Sequence, residues 1–300
     1  MYLKDNFTNV VFRFSDFFTK LRKVNVFNTN NGIFVKRFSI FILFLAITLL
    51  ISSGKSKRRF DMPYEVKTIV IDAGHGGKDP GTIGATSKEK NIALNIALKV
   101  GGYLEKYLPD VKVIYTRKTD NFIELYDRPV IANKANADLF VSVHVDAIGG
   151  KSTVEGTTTY VMGLDKNKKN LDVAMRENSV MKYEENLENY NGFDPESDES
   201  YIIFDLYQSA FRENSLKLAE QIQTQFEKRV GRKSRGVKHG PFWVLWATTM
   251  PSVLVETGYI TNPSEEQYLN TEKGQALIAS GIFRAIRDYK NQVESIKVEN

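Results

Sequence analysis

Residues 67–77 read KTIVIDAGHGG. Lys67–Asp72 is a short β-branched apolar run that stops at Gly, the pattern of a buried strand followed by a tight turn. His75 therefore stands just beyond a strand end. Residues 138–147, DLFVSVHVDA, repeat the arrangement, with His144 at the close of a second apolar run. Between them, Asn91–Leu108 carries Ile92, Ile96, Val100 and Leu104 at helical spacing and is ended by Pro109. Further strands are expected at Val111–Thr116, Gly156–Met162, Phe242–Leu245 and Ser252–Glu256. Further helices are expected at Leu125–Ala135, Ser215–Val230 and Gly274–Val293. Strands alternating with helices predict an α/β sheet covered on both faces, and such sheets gather ligands where their strands stop.

The chain has three histidines and no cysteine, so disulfides and thiolate-held metals are excluded. Imidazole with carboxylate is then the donor set for a metal. His75, Glu89 and His144 read as a zinc site and Glu256 as its catalytic base. Glu89, flanked by Lys88 and Lys90, also reads as an exposed helix-start ion pair. Glu256 ends the apolar run SVLV, where a carboxylate without a partner is costly and so points to use. A zinc with three protein ligands keeps a position open for water. Water activated there also needs a group that takes its proton, and Glu256 is the candidate.

Charge is distributed unevenly. Residues 1–60 hold 11 Lys/Arg against 2 Asp/Glu, and the rest holds 30 against 34, so the formal +5 belongs to the N-terminal segment. A nucleic-acid role is not expected from a mildly acidic remainder. Residues 1–37 read as an N-terminal extension, a cytoplasmic tail or an over-extended start. Residues 38–54 begin with FSIFILFLAITLLI behind Lys36-Arg37, which is a signal h-region or a membrane anchor. The run is short of the roughly 20 residues of a full span. Residues 55–64 are a linker, and 65–293 the folded domain, expected outside the cytoplasmic membrane.

Four blocks resemble one family: TIVIDAGHGGKDPGTIG, KEKNIALNIA, TRKTDNFIELYDRPVIANKANADLFVSVHVDA and MPSVLVETGYITNP. In this order, across about residues 66–290, they are similar to the zinc-dependent N-acetylmuramoyl-L-alanine amidases of bacterial cell walls. The resemblance implies a twisted, mostly parallel sheet of about six strands. It also implies one Zn2+ on His75, Glu89 and His144, with Glu256 catalytic, and a zinc-activated water that cuts the amide between N-acetylmuramic acid and L-alanine in peptidoglycan. That activity would serve wall remodelling or daughter-cell separation. The chain departs from the family at Asp146, where Asn is more usual, and at Trp246, near a position often basic. Arg128 is a candidate for a substrate carboxylate or for a structural ion pair, and His239 for a substrate contact or a surface loop. Phe242, Trp243 and Trp246 read as core, with a sugar-facing wall as the alternative.

Residues 164–212 interrupt the alternation with a polar, acidic, Asn-rich stretch. In some members an inserted helix covers the zinc until a partner displaces it. Here Glu177, Glu184 and Glu185 are the candidates to reach the metal, and an activator protein would act on this insertion. The enzyme is otherwise expected to be a monomer. Two other readings stay open at this point: a zinc exopeptidase, since fold alone does not choose the substrate, and a wall-binding module without activity.

Overall fold

In a computed structural model of the chain, strand Thr68–Ala73 (β1) runs into the loop that carries His75, and helix Glu89–Tyr107 (α1) brings the chain back to strand Lys112–Tyr115 (β2). The description covers residues 65–150, 152–163, 168–190, 193–194 and 211–295. The extension, the 38–54 apolar run and the linker lie outside it. Among the described residues no helix is long and apolar enough to cross a membrane.

The remaining elements are helix Asp127–Lys134 (α2), strands Leu139–Asp146 (β3) and Thr157–Met162 (β4), and helices Lys168–Asn178 (α3) and Arg212–Gln225 (α4). They are followed by strand Ser234–Gly240 (β5), the short helix Trp243–Trp246 (α5), strand Ser252–Tyr259 (β6), and helices Pro263–Leu269 (α6) and Glu272–Glu294 (α7). Six strands form one sheet in the order β2-β1-β3-β6-β4-β5. Every neighbouring pair is parallel except β4 with β6. The sheet is thus α/β and mostly parallel, as expected.

Strand alternation sorts the core into two layers. Ile69, Ile71, Val141, Val143, Val253 and Val255 face α1, α4 and α7. Val70, Phe140, Tyr160 and Leu254 face the other way, onto Ala132 of α2, Ala174 of α3 and the aromatic cluster of α5. Both faces being covered explains why the central strands read as almost continuous apolar runs.

Two expectations change. Phe242–Leu245 is not a strand: Trp243–Trp246 forms a helical turn, and the strand lies earlier, at Ser234–Gly240. The edge strand SRGVKHG is too polar to announce itself, whereas the aromatics pack as core. Helix α6 has no counterpart among the expected elements, although Asn262 caps it by accepting from the Ser264 and Glu265 amides and Pro263 opens it.

Beneath the strand ends lies a buried polar knot. Asp72 accepts from Thr116, Ser142 and Arg128. Arg128 is itself buried and donates to Asp72 and to the carbonyls of Ala73, His75 and Ile123, which engages all its N–H groups. Of its two sequence readings the ion pair is the one observed; no donor is left for a substrate. Arg128→Met strands the Asp72 carboxylate in the core. We expect a loss of about 3–5 kcal/mol in denaturant unfolding; a change below about 1 kcal/mol would contradict this role.

Candidate metal centre

The Gly-rich turn after β1 decides how His75 is presented. His75 has φ of +60°, in the left-handed region that L-residues seldom occupy. It is held there by Arg128, which donates to the His75 carbonyl, and by Arg117, which donates to the Ala73 and Gly74 carbonyls. Gly74 is required for proximity: a Cβ there would lie 2.4 Å from Cε1 of His144. At Gly81 a Cβ would strike both His75 and Glu89.

Four side chains converge at this edge. His75 comes from the β1 loop, Glu89 from the first turn of α1, His144 from β3 and Glu177 from α3. All four are buried. Nε2 of His75 lies 3.2 Å from a carboxylate oxygen of Glu89 and 3.2 Å from one of Glu177. Nδ1 of His144 lies 3.1 Å from each of the same two oxygens. His75 Nε2 and Glu177 Oε2 nevertheless make no hydrogen bond. Within the group only His144 Nδ1 and Glu89 Oε1 meet as a hydrogen bond, and converging donor atoms of which two have no bonding partner fit a shared cation. Zinc bonds of 2.0–2.1 Å give a tetrahedron with edges of about 3.3 Å, close to the distances observed.

The supporting contacts fit as well. Asp79 accepts from Nδ1 of His75 at 2.7 Å, so the bare lone pair is on Nε2, facing the group. Glu89 accepts from the Val145 amide and, through its other oxygen, from the Thr82 amide and hydroxyl. These bonds aim the carboxylate inward instead of toward Lys88 or Lys90. Asp79 went unread in the sequence, although a carboxylate four residues after a strand-end His was a usable signal. Asp79→Ala should weaken metal affinity by about 10–100-fold, measured by competition with a chromogenic chelator; unchanged affinity would refute the supporting role.

Glu256 stands directly opposite His144 in the parallel β3–β6 ladder. It is buried, and neither carboxylate oxygen has a hydrogen-bond partner. Burial first, then the charges of Asp146, Glu177 and Glu89, push its pKa well above the ordinary carboxylate range. A proton acceptor with no competing partner beside a metal group is suited to moving protons.

Of the three insertion acids only Glu177 enters the group. Glu184 is turned away to accept from the Leu125 amide and Tyr190 hydroxyl, and Glu185 is exposed. Arg176 pins Glu177 from behind: its guanidinium bonds Glu177, Asp146 and the Ala147 carbonyl. With α3 in this position the space lined by His75, His144 and Glu177 is only about 20 Å³, room for about one water.

His239 is not brought to the site. It pairs with Val161 on edge strand β5, whereas Glu256 pairs with Thr158 of β4. Two strand spacings and three residues along β4 separate them, about 10 Å across and about 10 Å along the sheet.

The N-acetylmuramoyl-L-alanine amidase family profile matches residues 69–288. The N-acetylmuramoyl-L-alanine amidase AmiA of Escherichia coli K12 is 33% identical over 250 residues, covering 83% of this chain and 85% of that protein. The crystal structure of an N-acetylmuramoyl-L-alanine amidase from Clostridium difficile 630 superposes with a TM-score of 0.57 at 30% identity, covering 75% of this chain and 97% of that one. The CwlD amidase of Clostridioides difficile, solved in complex with the GerS lipoprotein, gives a TM-score of 0.55 at 26% identity, with 74% and 98% covered.

Proposed function

The chain belongs to the N-acetylmuramoyl-L-alanine amidase family, and from that membership we propose that it hydrolyses the amide joining N-acetylmuramic acid to L-alanine in peptidoglycan. His75, Glu89 and His144 hold one zinc ion, and Glu256 moves the proton. The observation that carries this reading is the partnerless Glu256 carboxylate directly across the ladder from His144.

Bound there, zinc supplies Lewis acidity, which polarises the carbonyl and makes water a nucleophile near neutral pH. The protein supplies the rest. His75 and Glu89 are oriented by Asp79, Thr82 and the Val145 amide before substrate arrives. Glu256 accepts the proton of the attacking water as the carbon–oxygen bond forms. It returns that proton to the alanine nitrogen as the carbon–nitrogen bond breaks. The products are a lactyl carboxylate on the sugar and a peptide with a free L-alanine amine. Two histidines serve one ion, which favours this chemistry over a two-metal exopeptidase. A retained Glu256 argues against an inactive wall-binding module.

Glu177 stands among the donor atoms of His75, Glu89 and His144, where it would compete with water for a bound zinc, so α3 would hold the enzyme idle until an activator protein draws the 164–212 insertion away. That a relative was solved with a lipoprotein partner supports such control. Glu177→Ala should raise hydrolysis of purified sacculi at least about tenfold, the opposite of losing a required ligand; an equal or lower rate in a folded, metal-loaded variant would contradict it. The substrate places the work in the cell envelope, outside the cytoplasmic membrane, which suits the 38–54 segment as a signal or an anchor.

A further inference from the structure

Glu256 has a neighbour on each side of it in the sheet. His144 faces it across the parallel β3–β6 ladder, and Thr158 faces it across the antiparallel β6–β4 ladder. Directly opposed residues of neighbouring strands share a face, so His144, Glu256 and Thr158 form one row over three strands. The first belongs to the metal group and the second moves the proton. Thr158 is fully buried, and its hydroxyl makes no hydrogen bond. Its neighbour Thr159, which points to the other face, meets Gln223 of α4 at 2.8 Å. The Tyr259 hydroxyl approaches Thr158 without reaching hydrogen-bond geometry. A buried hydroxyl left unbonded costs stability, and Val would fill the same space without that cost. Both oxygens of Glu256 are unbonded as well. Two buried polar groups without partners thus stand at directly opposed positions, where Cβ atoms are about 4.5–5.5 Å apart. A change of side-chain rotamer closes that span to a hydrogen bond.

Proton transfer makes Glu256 alternate between carboxylate and neutral acid. A hydroxyl serves both forms, since it can donate to the one and accept from the other. A backbone N–H can only donate, and a fixed cation would hold the carboxylate charged. We propose that Thr158 is the positioning residue for Glu256: its hydroxyl, with Tyr259 donating to it, donates to the carboxylate oxygen that is not taking the proton of water. Thr158 keeps its own hydrogen throughout. The proton taken from water stays on the other Glu256 oxygen until it passes to the alanine nitrogen. The inference rests on the amidase reading and adds the residue that fixes the geometry of proton transfer. Thr158 touches neither substrate nor metal, so it acts on turnover and not on substrate affinity.

The test compares the zinc-loaded full chain with Thr158→Val, Thr158→Ser and the double variant Thr158→Val, Glu256→Gln on soluble muropeptides. Thr158→Val should lower kcat about 10–100-fold, the worth of a hydrogen bond to a charged group, with KM little changed. Its melting temperature should equal or exceed that of the parent, since an unbonded hydroxyl leaves the core. Thr158→Ser keeps the hydroxyl and should restore most of the turnover. In the Glu256→Gln background the Val substitution should cost nothing further, because Thr158 acts only through Glu256. Equal kcat in Thr158→Val and the parent overturns the positioning role and leaves the amidase reading standing. So does a loss that Ser does not rescue, that appears in KM, or that recurs at full size beside Glu256→Gln. A Thr158→Val chain that melts well below the parent marks the hydroxyl as structural and overturns the role too. A parent chain that releases no L-alanine amine overturns the amidase reading, and the positioning role falls with it.

Discussion

Glu256→Gln should leave a folded, metal-loaded protein whose turnover on peptidoglycan falls by about 10²–10⁴-fold. The substitution keeps the shape and removes the capacity to accept a proton. It also removes a buried carboxylate that has no hydrogen-bond partner and stands among the charges of Asp146, Glu177 and Glu89. The same change should therefore leave the melting temperature unchanged or raise it, since burying an amide costs less than burying a charge. Loss of activity with no loss of stability separates a proton-transfer residue from a structural one. A variant that retains more than about a tenth of parental turnover would show that another group moves the proton. A variant that fails to fold would show that Glu256 is held by contacts other than those described.

Removing the metal, or its His75 ligand, should have the other large effect. Zinc at about a thousandfold over its dissociation constant stabilises the native state by about 4 kcal/mol. Chelation should lower the melting temperature accordingly and abolish hydrolysis. His75→Ala should do both, and added zinc should not restore it. The parent enzyme, once stripped, should recover with zinc. The distinction matters because His75, Glu89, His144 and Glu177 also attract one another as ion pairs without a metal. A stripped protein that is as stable as the loaded one would mean that those ion pairs, not a cation, account for the cluster.

Sequence alone went far where the signal was local. The runs before His75 and His144 were legible because central strands covered on both faces must be apolar throughout. Glu256 was legible because an acid at the end of such a run demands an explanation. Edge strand β5 was not, since a half-covered edge tolerates Ser, Arg, Lys and His, and the neighbouring aromatics of α5 imitated a strand. Long-range polar contacts were also invisible. Glu266 accepts from the amides of Ala85, Thr86 and Ser87, which steadies the loop leading into Glu89 across about 180 residues of sequence. Arg128 could be named but not assigned, because whether it meets Asp72 or solvent depends on a fold that brings residues 72 and 128 together. The insertion offered three acids at comparable positions in the sequence. Only the pitch of α3, with Arg176 bracing Glu177 from behind, selects one.

Metal-dependent cleavage of a single bond is the chemistry to be tested. Purified peptidoglycan should be digested with the zinc-loaded protein, with the stripped protein, and with the stripped protein given zinc again, using both the parent chain and Glu177→Ala, and the products should be weighed by mass spectrometry. The expected products are intact glycan carrying lactyl carboxylates and peptides with a free L-alanine amine, present only when zinc is present and more abundant with Glu177→Ala. Cleavage between amino acids, cleavage of the glycan, or the same products from the stripped protein would contradict it.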